Sequence, residues 1–376
     1  MASRFSNNST KSVVLVTGAT GWIAQHVIHD LLETQCYRVI GTARTRGKCN
    51  NLLQSFGNTP LLTMEVVSDL SLPSAFDPVF KKNGNDIEYV LHMASPVYMK
   101  STDYQKVYLE PALNGTRSLL EAIEKYGSKK VRHVVYTSSV AAMFKTSQIL
   151  AQTKNNTSAF GKDNFLLSNY DENSWNPDSW TDCQTGDREA YAGSKKFAEK
   201  FAWDYVHNHK VNYTFNTINP VWVLGPQVFA ADVGNSLLGS NKLIANIVKN
   251  SGNNNFTIDY AFKGLEVDVR DVSRAHLASI KNGGKFNGHR LLMYNGEFTL
   301  KTIISIINSE FPKEVLNIPS VKVKEMDDDY VKPNYKPRFI DNSKTMELLG
   351  FDLISFEKTV KDSVVQMVEN HLNTVE

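Results

Sequence analysis

Directly after the β-branched run Val13-Val14-Leu15-Val16 the chain reads Thr17-Gly18-Ala19-Thr20-Gly21-Trp22-Ile23-Ala24, and a helical stretch follows from about Trp22 to Glu33. The apolar run is too short for a helix and reads as a buried strand. Glycines between a strand and a helix narrow the options sharply. Gly18 permits a tight turn, Gly21 lets the backbone approach a bound pyrophosphate, and Ala24 is small enough for the helix to pack on the strand. The first helical turn, with Trp22 and Ile23, offers free N–H groups and the positive end of the helix dipole to phosphates. Ala19 and Thr20 complete the turn.

The same rhythm continues. Val39 to Thr42, Leu61 to Val67, Tyr89 to His92 and Val131 to Tyr136 read as strands, with helices around Asn50 to Phe56 and Tyr104 to Lys125 between them. Continuous apolar runs alternating with helices predict a parallel sheet covered on both faces. Lys145 to Arg188 departs from this pattern. It is rich in Asn, Ser, Thr, Gln and Asp, and reads as a long surface insertion with little regular structure. A helix from Arg188 to His207 and a strand from Tyr213 to Asn219 follow. Beyond Gln227 the rhythm weakens, with a flexible polar loop at Asn250 to Asn255 and helices at Ile303 to Phe311 and Phe356 to Asn370. The predicted fold is α/β: a Rossmann-type doubly wound parallel sheet over about 12–226, with the insertion at about 145–187. Residues 227–376 mainly form a smaller substrate-binding lobe, with some elements returning to the large domain.

Several function classes are excluded at this stage. A net charge of +2 without a basic run argues against a nucleic-acid partner. No apolar run approaches the roughly 20 residues that span a bilayer, and the Ser- and Asn-rich start lacks the apolar core of a secretion signal. Cys36, Cys49 and Cys183 are odd in number and without metal-ligand spacing, which predicts reduced thiols, no metal, and a cytoplasmic protein.

The end of the second strand selects the dinucleotide. An acid there accepts ribose hydroxyls. This chain has Ala43-Arg44-Thr45-Arg46-Gly47-Lys48 instead. Arg44 can hold a 2′-phosphate bidentately where a carboxylate would repel it, so NADPH is the expected cofactor. Asp69 and Leu70, after the third strand, are candidate adenine contacts.

Tyr191-Ala192-Gly193-Ser194-Lys195 places a Tyr and a Lys four residues apart, on one helix face. A phenol with its pKa near 10 is a poor acid–base group at neutral pH. Bringing it to about 7 needs roughly 4 kcal/mol, which a nearby ammonium and a cationic nicotinamide can supply. Val134 to Tyr136 runs into Thr137-Ser138-Ser139, and a hydroxyl at that strand end, Ser139 or Ser138, can hold a substrate carbonyl.

With those residues the chain resembles the extended short-chain dehydrogenase/reductase family. More narrowly it is similar to the dihydroflavonol-reductase-like branch, with its fungal NADPH-dependent aldehyde and ketone reductases and the methylglyoxal reductase group. Thr17 to Ala24, Ala43-Arg44, His92 to Pro96, Thr137 to Ser139, Tyr191 to Lys196, Asn219 to Pro226 and Val267 to Val272 carry the resemblance over nearly the whole chain. It implies Ser139, Tyr191 and Lys195 as the catalytic set, and phosphate binding by the turn, Arg44 and Lys48. It further implies cofactor contacts at Ala94, Pro220, Val223 and Ser240. The segment between Phe144 and Asn173 is longer than the family pattern. Val97, Phe144 and Trp222 are candidate walls of an apolar pocket. His92 and His133 read as structural residues, and Arg270 and Asp271 as ties between the lobes.

The expected reaction is hydride transfer from NADPH to a small ketone or aldehyde, in a monomer or homodimer. The alternatives are an NAD-dependent nucleotide-sugar epimerase or dehydratase, which Arg44 argues against, and a non-catalytic dinucleotide sensor, which has no need of the Tyr-Lys pair.

Overall fold

Alternating residues of β1 (Ser12–Thr17) point to opposite faces of a sheet, and both faces are buried. Val14 and Val16 join one core layer, and Val13 and Leu15 the other. Burial on both sides is why the run is apolar throughout rather than alternating. In the computed structural model, which describes residues 11–95, 101–145, 170–235, 239–253, 262–318, 333–334, 336 and 340–372, β1 lies within a seven-stranded parallel sheet. Its companions are β2 (Tyr37–Ala43), β3 (Leu62–Val66), β4 (Ile87–His92), β5 (His133–Thr137), β6 (Thr214–Pro220) and β9 (Arg290–Met293). The order is β3-β2-β1-β4-β5-β6-β9. The winding direction reverses between β1 and β4, which opens a crevice at the carboxyl ends of the strands.

Helices α1 (Trp22–Glu33), α2 (Arg46–Ser55), α3 (Asp77–Asn83), α4 (Glu110–Ala122) and α5 (Asp187–Asn208) cover the sheet. The expected helix from Tyr104 to Lys125 is present, but π-helical turns at Gln105–Leu109 and Ile123–Gly127 flank α4. Pro111 sits at the start of α4. It has no N–H and its ring crowds the carbonyl four residues back, which a wider preceding turn relieves.

After β6 the chain builds a second sheet from β7 (Trp222–Leu224), β8 (Lys263–Asp268) and β10 (Gly296–Thr299), in the order β10-β8-β7. With α6 (Lys242–Lys249), α8 (Leu300–Glu310) and α10 (Phe356–Glu369), this sheet surrounds a separate core of Leu224, Ile244, Val248, Phe298, Ile303 and Val360. The chain does not stay there. Helix α7 (Val269–Lys281) packs on α1, β9 completes the large sheet, and α9 (Ser343–Leu349) lies on β9. Arg270 of α7 joins Asp268, at 2.7 Å, to Asp362 of α10, at 2.5 Å, and the Asp271 carboxylate accepts the Ile354 amide at 2.7 Å.

The described part of the Lys145–Arg188 segment, from 170 onward, has little regular structure and many exposed residues, but buried side chains anchor it. Asn176 and Cys183 are fully buried, and Tyr170 bridges Ile340 as a parallel pair. Asn176 donates its amide to the Ala142 carbonyl at 2.9 Å and its side-chain N–H to the Ala141 carbonyl at 3.0 Å. Its polar groups are paired with backbone, so polarity there does not mean exposure. Residues 146–169 lie outside the described residues. Among the described helices none is long and apolar enough to cross a membrane.

Candidate active site

The crevice collects the carboxyl end of every strand from β1 to β6, so residues far apart in sequence converge there. The glycine turn follows β1. Gly18 has φ +65°, and a Cβ on it would stand 2.8 Å from the Ala94 Cα. Only glycine supplies that conformation without strain and that approach without collision. Two threonines fix the turn. The Thr17 hydroxyl oxygen accepts the Met93 and Ala94 amides at 3.0 Å each, and its O–H reaches His92 Nδ1 at 2.8 Å. The Thr42 carbonyl accepts the Ala19 amide at 2.9 Å, and its hydroxyl accepts the Gly18 amide at 3.3 Å. Gly21 caps α1 with extended backbone and no side-chain hydrogen bond, which leaves the first-turn amides of Trp22 and Ile23 for a ligand. This cradle of backbone N–H groups fits a dinucleotide pyrophosphate.

The Trp22 side chain has a structural part beside that amide. Its indole is buried, donating to the Pro226 carbonyl at 3.2 Å, and a Cβ on Gly239 would meet its ring at 2.1 Å. The ring therefore braces the turn against the Gly239–Asn241 segment, of which Ser240 is the middle residue. Arg44 and Lys48 are exposed at the end of β2 and the first turn of α2, where Thr45 caps the helix by accepting the Lys48 amide at 3.3 Å. Neither makes an ion pair with a described residue. Asp69 turns inward on its own loop, accepting the Ser71 amide at 2.8 Å and hydroxyl at 2.6 Å. Those bonds, with Arg44 nearby, hold its carboxyl below the usual range. Leu70 packs against Gly115, where a Cβ would collide with it at 2.0 Å.

Helix α5 brings in the Tyr-Lys pair. Ala198 and Ala202, on the stripe continuing from Tyr191 and Lys195, are fully buried against the sheet. Lys195 Nζ lies 5.8 Å from the centre of the Tyr191 ring. Lys195 is buried, and loss of water lowers its pKa to about 8, with the Glu199 carboxylate opposing that fall. It therefore stays cationic at neutral pH and can stabilise a phenolate. Beneath it His92 is held neutral, its pKa depressed to about 3 by burial and by the Lys195 charge.

The two serines after β5 separate clearly. Ser138 donates its hydroxyl to Glu199 Oε2 at 2.5 Å. The Ser139 hydroxyl oxygen accepts the Ala141 amide at 3.1 Å, and its own proton has no acceptor among the described residues. Of the pair, Ser139 keeps a donor for a substrate. The turn after it packs on α5. Pro220, the last residue of β6, and Val223 in β7 are buried, Phe144 is buried against Tyr170 with ring centres 4.3 Å apart, and Trp222 is half-exposed with its ring edge-on to Phe262 at 5.3 Å. Val97 lies outside the described residues.

Sequence reasoning passed over Thr17, Thr42, Glu199, Asn219 and Arg290. A signal existed for Glu199: it stands one turn beyond Lys195 on the same buried stripe, an acid among alanines. Asn219 donates to Glu199 Oε2 at 2.7 Å and to the Ser139 carbonyl at 3.2 Å. His133 is satisfied by Thr214 and Asn216, each at 2.7 Å, as a structural residue. Among the described residues no group of His, Cys, Asp and Glu is arranged to hold a metal.

A sheet of this order, with a glycine turn at its switch point, is the fold of Rossmann-type dinucleotide-binding proteins. The chain belongs to the extended short-chain dehydrogenase/reductase family: a model described as the NAD dependent epimerase/dehydratase family matches residues 14–165. An uncharacterized oxidoreductase of Saccharomyces cerevisiae is 41% identical over 361 residues, covering 96% of this chain and 97% of that one. The NADPH-dependent methylglyoxal reductase GRE2 of the same yeast is 38% identical over 358 residues, covering 95% and 98%. The crystal structure of yeast methylglyoxal/isovaleraldehyde reductase Gre2 complexed with NADPH superposes with a TM-score of 0.81 at 36% identity, over 96% of this chain and 100% of that one.

Proposed function

We propose that this protein reduces small aldehydes and ketones with NADPH, with Tyr191 as the proton donor and Ser139 and Lys195 completing the catalytic set. The observation that carries the reading is the cationic Lys195 buried beside Tyr191, at the strand ends where Ser139 holds an unused hydroxyl proton. The relatives named for NADPH-dependent reduction support it over nearly the full chain.

Bound NADPH supplies the hydride. The turn from Gly18 to Ile23 would hold the pyrophosphate, and Arg44 and Lys48 the 2′-phosphate. Asp69 and Leu70 would flank the adenine, Ala94, Pro220 and Val223 would line the nicotinamide half, and Ser240 would add a further cofactor contact. Ser139 donates to the carbonyl oxygen and orients it, and Tyr191 passes its proton to that oxygen as the alkoxide charge develops. Lys195 makes the proton loss easier and grips the nicotinamide ribose. Phe144 and Trp222 wall the substrate side. The second sheet and the separate core it surrounds form the substrate lobe. The reduced state of all three cysteines suits the cytoplasm. The exposed cations at the end of β2, with no acid among them, disfavour an NAD-retaining epimerase.

The test is NADPH consumption over a panel of aldehydes, ketones and nucleotide sugars, repeated with Tyr191→Phe. The variant should bind NADPH normally in a fluorescence titration and lose roughly 10²–10⁴-fold in turnover. Near-native turnover by Tyr191→Phe would sink the mechanism, and activity confined to nucleotide sugars would sink the substrate class.

A further inference from the structure

Behind the candidate site lies an ion pair with no direct part in the steps above. Glu199 of α5 is fully buried, and Arg290 of β9 is nearly so. Arg290 Nε donates to Glu199 Oε1 at 2.6 Å. The Trp203 indole N–H reaches the same oxygen at 3.3 Å, and the Thr217 hydroxyl lies 3.2 Å from it. The other oxygen takes the Ser138 hydroxyl and the Asn219 amide. One carboxylate thus gathers groups from β5, β6, β9 and its own helix.

A buried ion pair is weak evidence for stability, because desolvating two charges cancels much of their attraction and apolar replacements are often neutral. What this pair does uniquely is spatial. Asn219, held by Glu199, donates its second N–H to the Ser139 carbonyl. Ser138, the neighbour of Ser139, is anchored to the other side of the same oxygen. Lys195 is one helical turn away. On the far side, Arg290 stacks on Trp175 at 3.9 Å and donates to the carbonyls of Glu172 and Ser174. The chain entering α5 is therefore fastened to the same pair.

We propose that Glu199, paired with Arg290, is a positioning residue for carbonyl reduction, fixing Ser139 and Lys195 relative to one another by clamping the ends of β5 and β6 to helix α5. The inference rests on the reading of Ser139, Tyr191 and Lys195 as the reacting set. The clamp also has an electrostatic signature. The groups facing the Tyr-Lys pair are Glu199 on its own helix, His92 from β4, which acts with Lys195, and Tyr136 from β5, which acts with Tyr191, with Arg290 beyond Glu199. His92 and Tyr136 are held neutral by burial, so Glu199 is the anion acting on the Tyr-Lys pair. Removing a negative charge lowers the proton affinity of every group nearby.

The experiment compares wild type, Tyr191→Phe, Glu199→Gln and the double variant Glu199→Gln/Arg290→Met. Turnover is followed from pH 6 to 10 with NADPH and either methylglyoxal or isovaleraldehyde, whichever the wild type reduces faster. The double variant avoids leaving a buried guanidinium unpaired, and circular dichroism confirms that each protein is folded. Both Glu199 variants should lose roughly tenfold or more in kcat. Their KM for NADPH should change by less than about twofold, since the phosphate contacts are remote; in Glu199→Gln the alkaline limb of kcat should move about one pH unit toward acid, and by less in the double variant, where the lost Arg290 cation offsets the lost anion. A purely structural role would leave that limb in place. Folded Glu199 variants with wild-type kcat and an unmoved limb, beside an inactive Tyr191→Phe, overturn this inference alone. An active Tyr191→Phe overturns the functional reading and this inference with it.

Discussion

Arg44 is where a single side chain decides between two cofactors. It stands exposed at the end of β2 with no ion-pair partner among the described residues. A guanidinium that meets a 2′-phosphate makes a charge-assisted contact that an unphosphorylated ribose cannot return. Arg44→Ala should therefore cost about 1.5–3 kcal/mol in NADPH binding and much less in NADH binding. Steady-state kinetics with both cofactors checks this, and an equal loss for the two would count against the assignment. Ser138 and Ser139 show a similar division of labour between adjacent residues. Glu199 takes the first hydroxyl, so only the second has a proton left to offer.

Helix α5 carries Tyr191 and Lys195, and Gly193 between them sets how closely that helix can approach its neighbours. A Cβ on Gly193 would stand 2.5 Å from the Cys183 Cβ and 2.9 Å from Leu109 Cδ2. Alanine raises helix propensity by up to about 1 kcal/mol. Overpacking a tight contact costs about 1–3 kcal/mol, and the Cys183 Cβ is not a flexible end that can swing aside, so the collision wins. Gly193→Ala should lower the melting temperature by several degrees and reduce kcat, because the helix must move away from the 182–184 turn. A melting temperature at or above wild type would show that the contact gives way easily.

Across the molecule, the chain crosses repeatedly between the large sheet and the second core, and the crossing at α7 is held by charge. Arg270 satisfies the fully buried Asp268 and also reaches Asp362 on α10, in the other core. Thr359 donates to Asp268 as well, at 2.7 Å, but brings no positive charge. Arg270→Met should cost about 3–5 kcal/mol, the usual effect of leaving a buried carboxylate without its partner. Urea unfolding at pH 7 measures it. A loss under about 1 kcal/mol would mean that the junction rests on its apolar contacts and that the cation is incidental.

Much of this was legible in the order of residues, wherever the deciding interaction is local. The glycine turn, the cations after β2 and the four-residue Tyr-Lys spacing all sit within one turn or one helix face, so backbone geometry alone sets their relation. Apolar runs announced strands β1, β2, β4 and β5, because a strand buried on both faces has no polar side. Other features were not legible. The segment from 170 to 186 is as polar as a surface loop, yet it is anchored through buried Asn176, whose amide groups bond the Ala141–Ala142 turn, and through carbonyls that accept from the Arg290 side chain. Glu199 and Arg290 are 91 residues apart and become partners only because β9, four residues long, closes the edge of the large sheet. Local spacing follows from the periods of helix and strand, which every short segment carries within itself. Whether a charge is buried, and what answers it there, depends on which distant surfaces exclude water from it, and that is settled only when the strands and helices have packed together.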